Sequence, residues 1–175
     1  MLADVASIKD GIAEYYKKCG FRFASVHPMF GPTFADMGKL EGENAVVIKE
    51  SDPEIAGFFR EFFSNRGIRI FEYSFKEHDE MMAYSLTTPF VTSLVFASCM
   101  DNAAVPGSTF ARHRKIAQGL LAEDDWLLCE VLFNKHSLPQ LERITSRLEF
   151  LKHVVKARDY EEAEGVLRKL RKNIG

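Results

Sequence analysis

The segments of this chain that resemble β-strands all lie within its first 75 residues. Residues 21–26, 45–48 and 68–74 are rich in β-branched and aromatic side chains, which is typical of strands. From residue 76 to residue 174 the apolar residues instead recur at the three-to-four spacing of amphipathic helices. The sequence therefore predicts a mixed fold, in which a small α/β unit over residues 1–75 precedes an all-α unit over residues 76–175.

The α/β unit is predicted to follow the order α-β-β-α-β. Asp4 or Ser7 can cap a helix that runs to about residue 18, with Gly20 just beyond its end. The run Ser51-Asp52-Pro53-Glu54 predicts a second helix, to about residue 65, because it combines a capping box with an early proline. This unit is too small for a complete doubly wound sheet, and the chain contains no G-x-G-x-x-G sequence. We therefore expect the C-terminal remnant of a larger, Rossmann-like domain.

The all-α unit is predicted to contain long helices separated by short breaks. The first spans residues 76–100 and contains Pro89, which should kink or interrupt it. Its second half, residues 90–100, is almost wholly apolar, so we expect it to be buried in a core or against a partner chain. Further helices are predicted at residues 109–121, 124–133, 138–158 and 160–173.

Composition and charge exclude several classes of protein. The net charge is −2 and the sequence pI is about 6.2, whereas a nucleic-acid-binding chain should carry a basic face. The three cysteines match no metal pattern, so we expect free thiols in a reducing compartment and no metal site. No run reaches about 18 uninterrupted apolar residues, and the first residues do not resemble a signal peptide. We therefore expect a soluble cytoplasmic protein without a membrane segment.

One short run is the best candidate for a chemical site. The sequence Val26-His27-Pro28-Met29-Phe30-Gly31-Pro32 places a histidine at the end of a predicted strand, followed by a stiff, proline-rich turn. A histidine held in this way is suited to proton transfer near neutral pH. The alternative is a surface loop that contains an incidental histidine.

Two separated motifs together resemble the prephenate dehydrogenase family. They are Asp4-Val5-Ala6-Ser7-Ile8-Lys9 and His27-Pro28-Met29-Phe30-Gly31-Pro32, and Glu77-His78-Asp79-Glu80 and residues 110–126 add to the resemblance. The resemblance implies oxidative decarboxylation of prephenate to 4-hydroxyphenylpyruvate with NAD or NADP. It also implies a homodimer formed through the all-α unit.

The resemblance assigns roles to residues on the cofactor side. His27 matches the catalytic histidine, which accepts the proton of the substrate hydroxyl. Ser7 matches a serine close to that hydroxyl and to the nicotinamide, although a plain helix cap is the alternative. Lys9 and Pro28 fall beside the cofactor, and a solvated lysine in the first helical turn is the alternative for Lys9.

The resemblance is less complete on the substrate side. Where many members carry an arginine before an Ile-Ala pair, this chain has Lys115, with Arg112 and Arg114 nearby. These cations are candidates to bind the substrate carboxylates, and an exposed basic helix face is the alternative. Thr88 lies where many members carry histidines, and it could offer a hydroxyl to the substrate or bond back to a carbonyl. His78 and Asp79 are expected to be an orienting pair at a helix start.

The glycine-rich turn of the family lies well before the Asp4 motif and is absent from this sequence. We therefore expect a truncated chain that alone binds NAD poorly. Two alternatives remain open. One is a related dehydrogenase that acts on arogenate. The other is a non-catalytic helical module for dimerisation or ligand binding.

Overall fold

The computed structural model describes residues 1–31, 35–36, 38–101, 103 and 105–175, so Pro32 of the predicted turn lies outside the described residues. In this part of the chain a mixed four-stranded sheet has the order β1-β2-β3-β4. Its strands are β1 (Leu2–Asp4), β2 (Phe23–Pro28), β3 (Asn44–Ile48) and β4 (Arg69–Tyr73). The β1–β2 and β3–β4 pairs are parallel, and the central β2–β3 pair is antiparallel. The predicted mixed α/β unit is confirmed.

The start of the chain differs from the prediction. Asp4 ends strand β1 instead of capping a helix, and α1 (Ile12–Cys19) begins only after Gly11, whose φ is 75°. The predicted cap at Asp4 or Ser7 is therefore wrong. The physical reason is a long-range one, since β1 pairs with β2 and the Asp4 carboxylate accepts hydrogen bonds from the Ala6 N–H and the Tyr16 hydroxyl instead of capping a helix. The predicted end at Gly20 is confirmed, with a φ of 67°.

The two faces of the sheet pack against different helices. Val26 packs with residues of α2 (Pro53–Ser64) on one face, whereas Phe23 packs with Tyr16 of α1 and with Phe75 on the other. Because side chains alternate along a strand, Ser25 and His27 share the face of Phe23. His27 therefore points toward α1 and the start of the helical region.

Helix α2 begins close to the predicted position. Pro53 is its first residue, and the Asp52 carboxylate accepts hydrogen bonds from the backbone of Glu54 and Ile55. Ser51 has another role, because its hydroxyl accepts a hydrogen bond of 3.0 Å from the backbone N–H of Ser25. The cap is thus one residue later than the serine of the motif suggests.

The described residues beyond β4 contain helices and no strand, as predicted. The helices are α3 (Phe75–Ser85), α4 (Thr87–Ser98), α5 (Ser108–Leu120), α6 (Asp125–Phe133), α7 (Ser137–Ala157) and α8 (Tyr160–Asn173). The predicted interruption near Pro89 is confirmed, since α3 ends at Ser85 and α4 starts at Thr87. Pro89 has no N–H to donate to the carbonyl of Ser85, four residues earlier. We retain the division of the chain at residue 75 as a proposal.

Much of the apolar surface of the helical region is not buried in one copy of the chain. Of residues 90–98 in α4, Phe90 and Val91 are buried. The chain itself therefore covers only part of the apolar segment that was predicted to be buried. Among the described residues, the helical run Phe75–Ser98 is long and apolar enough to cross a membrane, judged by its length and composition only. A single such run is weak evidence, because core helices of soluble proteins pass the same test. This run is also divided at Leu86 and carries the buried polar residues His78 and Asp79.

Candidate functional site

The candidate site is centred on His27, near the end of β2. This residue pairs with Val46 of β3, and its side chain is only 4% exposed. Its imidazole points to the sheet face covered by α1 and α3. The histidine is thus held by an internal strand instead of a surface loop.

His27 is the first member of a buried row of three polar side chains. Its Nδ1 lies 3.1 Å from Nε2 of His78, and Nδ1 of His78 lies 3.4 Å from a carboxylate oxygen of Asp79. An ionised carboxylate only accepts hydrogen bonds, so His78 donates from Nδ1 and accepts at Nε2. His27 therefore donates from Nδ1, and its Nε2 carries the free lone pair.

The environment of His27 keeps its imidazole neutral. Burial, together with the nearby His78 and Lys9, lowers the pKa of His27 from the ordinary 6.5 to about 3. Desolvation acts in this direction because it disfavours the charged form. A neutral imidazole with a free Nε2 can accept a proton from a substrate group placed beside it.

A second buried network fixes the loop between β1 and α1. The ammonium group of Lys9 donates to the carboxylate of Asp4 and, over 2.7 Å, to the backbone carbonyl of Val26. The hydroxyl of Tyr16 donates to the other oxygen of Asp4 over 2.9 Å. Lys9 is only 1% exposed, so the alternative of a solvated lysine is wrong. Burial lowers the pKa of Lys9, and the hydrogen bond to Asp4 opposes that shift.

Ser7 and Pro28 lie toward the same edge of the sheet. Asp4 pairs with Ser25 in a parallel register, so the residues after β1 and those ending β2 emerge together. Ser7 is half-buried in the loop that Lys9 fastens to Val26. Among the described residues no hydrogen bond joins Ser7 to His27. The expected convergence of these two side chains on one cleft stays a prediction.

A cavity of about 470 Å³ lies beside the buried row. It is bounded by Lys9 and Tyr16 on one side and by Phe75, Asp79 and Lys135 on the other. Asp79 therefore connects the row to this cavity, where the Lys135 ammonium lies 3.9 Å from its second carboxylate oxygen. Neither His27 nor His78 is among the described residues that line this cavity.

The predicted substrate residues lie far from His27 in the same chain. Arg112, Arg114 and Lys115 are exposed on α5, where Phe110 packs against Phe96 of α4. Phe96 follows His78 by eighteen residues along a nearly continuous helical run, which corresponds to about 27 Å at the rise of an α-helix. Thr88 lines a different cavity, of about 770 Å³, with residues of α7 and α8.

The sequence did not identify the closest partners of His27. His78 and Asp79 were expected at a helix start, and α3 does begin with a capping box formed by Ser74 and Glu77. That local signal places both residues near the start of α3 but does not indicate that His27 contacts them. The local pattern also does not indicate the contact between Asp4 and Tyr16, because an aspartate at this position is typical of a helix cap. Among the described residues no cluster of three or more His, Cys, Asp or Glu side chains could hold a metal ion.

The fold and the site together define an α/β unit with an appended helical region and a buried histidine at their junction. No protein-family model matches the sequence, and no curated protein sequence matches it. Solved structures do match the fold. The prephenate dehydrogenase of A. aeolicus, in complex with hydroxyphenyl propionate and NAD+, gives a TM-score of 0.78 at 17% identity, over 98% of this chain and 65% of that one.

Two further structures show the same similarity. Another structure of the Aquifex aeolicus prephenate dehydrogenase gives a TM-score of 0.74 at 17% identity, over 98% of this chain and 66% of that one. The Synechocystis arogenate dehydrogenase gives a TM-score of 0.72 at 19% identity, over 98% of this chain and 67% of that one. The chain thus has the fold of the prephenate and arogenate dehydrogenases, and it spans about two thirds of their length.

Proposed function

We propose that this chain is the catalytic and dimer-forming part of an NAD(P)-dependent prephenate dehydrogenase. The observation that supports this most strongly is the His27–His78–Asp79 row, which presents a neutral imidazole with a free Nε2. The similarity in fold supports the same assignment, and the motifs around Ser7 and His27 agree with it. The reaction is the oxidative decarboxylation of prephenate to 4-hydroxyphenylpyruvate.

His27 supplies the proton acceptor of this reaction. A hydride leaves the ring carbon that bears the hydroxyl group, and Nε2 of His27 takes the proton of that hydroxyl as the carbonyl forms. The half-buried Ser7 is placed to hydrogen-bond the same oxygen. Burial of the site excludes water and strengthens these polar interactions.

The residues of this chain fit only the nicotinamide end of the cofactor. A bound nicotinamide supplies the hydride acceptor, and we propose that Ser7, Lys9 and Pro28 lie on its side of the site. Lys9 acts there by holding the loop, because Asp4 and Val26 already occupy its ammonium group. The sequence contains no glycine-rich turn for the pyrophosphate.

The substrate carboxylates need cationic partners. We propose Arg112, Arg114 and Lys115 for this role, with Thr88 as a further substrate contact. Because α5 lies far from His27 within one chain, these cations would have to act at the site of a second copy. This arrangement agrees with a homodimer formed through the helical region of a soluble, cytoplasmic enzyme.

The test uses the complete gene product that contains this chain. The protein should reduce NAD or NADP in the presence of prephenate, and His27→Asn should lower kcat by about 10²–10⁴-fold while prephenate binding survives. His153→Asn, at an exposed position on α7, is the matched control and should leave kcat unchanged. Normal turnover by His27→Asn would remove this histidine from the reaction.

The similarity to the Synechocystis arogenate dehydrogenase makes arogenate oxidation the second candidate. Prephenate and arogenate differ in the side chain that the cationic residues would bind, so comparing kcat/KM for the two substrates decides between them. A third possibility, a non-catalytic helical module, predicts binding of prephenate or tyrosine without any turnover. For the 175-residue chain alone, we expect weak NAD binding in a calorimetric titration.

A further inference from the structure

We infer that Tyr16 is a positioning residue, which fixes the loop that carries Ser7 against the strand that carries His27. This inference rests on the proposed dehydrogenase function, in which Ser7 hydrogen-bonds the reacting oxygen of the substrate and His27 accepts its proton. Both groups must meet one oxygen atom, although they lie on different segments of the chain. The fold therefore has to set the spacing between these two segments.

The loop between β1 and α1 is closed by the carboxylate of Asp4. Its Oδ1 accepts hydrogen bonds from the Ala6 N–H, over 3.1 Å, and from the Lys9 ammonium. Its Oδ2 accepts from the Tyr16 hydroxyl over 2.9 Å. One carboxylate thus joins the start of the loop, a residue inside it and the helix that follows it. Ser7 lies between Ala6 and Lys9, within this closure.

The same network is fastened to the strand of His27. The Lys9 ammonium also donates over 2.7 Å to the backbone carbonyl of Val26, the residue directly before His27. Lys9 is 1% exposed, and a buried charge that loses its partner is strongly destabilised. Lys9 therefore keeps this position only while the Asp4 carboxylate faces it. The orientation of that carboxylate sets the spacing between the loop and β2.

Tyr16 is suited to hold the Asp4 carboxylate in one orientation. Tyr16 is 6% exposed, and its ring stacks on Phe23 of β2 with the centroids 3.9 Å apart. Burial raises the pKa of Tyr16, so its hydroxyl stays protonated and donates at neutral pH. Hydrogen bonds to an ionised carboxylate are stronger than those between neutral groups. Without this one, the Asp4 carboxylate could turn, and the loop with Ser7 would gain freedom.

The first experiment measures the steady-state kinetics of the complete gene product at saturating cofactor. Tyr16→Phe keeps the stacked ring and removes only the hydroxyl. We expect kcat to fall about 10-fold, because misaligned groups react more slowly, while KM for prephenate changes less than about twofold. Tyr15→Phe, the same change at a neighbouring residue that is 59% exposed, is the matched control and should leave kcat unchanged. An unchanged kcat in Tyr16→Phe, or a loss confined to KM, would overturn the inference.

A double-mutant cycle separates the positioning of Ser7 from a general structural effect. In a Ser7→Ala background the hydroxyl to be positioned is gone, so Tyr16→Phe should lower kcat by less than about twofold further. An equal loss in both backgrounds would show that Tyr16 does not act through Ser7. A Ser7→Ala enzyme with the kcat of the unaltered protein would overturn the inference as well. Normal turnover in His27→Asn would instead contradict the proposed function itself.

Hydrogen exchange of the complete gene product tests the closure of the loop without any turnover. The Ala6 N–H donates to Asp4, and the Ile12 N–H donates to the carbonyl of Lys9. Both amides should exchange about 10-fold faster in Tyr16→Phe, because the loop opens more readily, and at the unaltered rate in the Tyr15→Phe control. Unchanged exchange in Tyr16→Phe would overturn the inference. Faster exchange in a protein that oxidises neither prephenate nor arogenate would support the closure and contradict the proposed function.

Discussion

At the scale of single residues, the burial that keeps His27 neutral also makes the stability of the fold depend on pH. The pKa of His27 is about 3 in the folded chain, and in the unfolded chain it returns to about 6.5. The unfolded state therefore binds a proton that the folded state does not. The contribution of His27 to stability is complete above pH 6.5 and is lost as the pH falls toward 3.

This linkage gives a measurable prediction. The urea concentration at the midpoint of unfolding should fall between pH 7 and pH 4 more steeply for the unaltered chain than for His27→Asn, which cannot take up this proton. The asparagine amide can still donate to His78, so the comparison isolates the titration. The exposed His153→Asn variant should keep the steep dependence. Equal slopes for the unaltered chain and His27→Asn would show that His27 is not a buried neutral group.

The sequence identifies His27 but not its environment, and the reason is distance along the chain. The strand end and the prolines that mark His27 are neighbours in sequence, so their pattern is visible locally. His78 is 51 residues away and contacts His27 only because α3 folds back over the sheet. The burial of Lys9 likewise depends on Asp4 being in a strand, which the local pattern did not reveal.

At the scale of elements, local signals placed most helices and failed where long-range pairing competes with them. The run Ser51-Asp52-Pro53-Glu54 agrees with the observed start of α2, and the predicted helix over residues 160–173 agrees with α8. Asp4 carries an equally good capping signal, yet Leu2 pairs with Phe23 and the segment becomes a strand. Propensity is a weak guide at such positions, because tertiary contacts override it.

The capping box of α3 gives a prediction that joins an element to the site. The hydroxyl of Ser74 accepts from the backbone N–H of Glu77, while the Glu77 carboxylate accepts from the N–H of Ser74. His78 and Asp79 follow directly after this turn in α3. Ser74→Ala should therefore cost about 1 kcal/mol of unfolding free energy and slow turnover of the complete enzyme several-fold.

Urea unfolding and steady-state kinetics test this prediction together. Ser98→Ala is the matched control, because Ser98 ends α4 and its hydroxyl contacts the carbonyl of Val95 and the thiol of Cys99, both far from the row in sequence. We expect a change below about 0.5 kcal/mol and no kinetic effect for this control. A stability loss in Ser74→Ala without any change in turnover would indicate that the first turn of α3 does not need its cap to position the row.

At the scale of the whole molecule, the two parts of the chain differ in how they bury apolar surface. The sheet has a helix-covered core on each face. Helices α6 to α8 instead leave many large apolar side chains exposed, among them Trp126, Phe133, Leu148, Leu151 and Val155. Extended apolar surfaces of this kind mark sites of association. A second copy of the chain is the partner that the proposed function requires.

The oligomeric state tests this view directly. Leu148 and Leu151 are 50% and 43% exposed and lie about one turn apart on α7. If a second copy covers them, Leu148→Asp would bury an unpaired charge, which costs several kcal/mol. Since each 1.4 kcal/mol changes an affinity tenfold, the dissociation constant should rise by about 100-fold or more. Sedimentation equilibrium should therefore find a dimer for the unaltered chain and a monomer for Leu148→Asp.

Ser146→Asp is the control for this experiment, because it adds the same charge at an exposed polar position of α7. It should remain dimeric. A monomeric unaltered chain, or a Leu148→Asp variant that stays dimeric, would show that this face of α7 is not the interface. In that case a dimer formed through α7 could not bring the cations of α5 to the site of a second copy. The proposed roles of Arg112, Arg114 and Lys115 would then lose their structural basis.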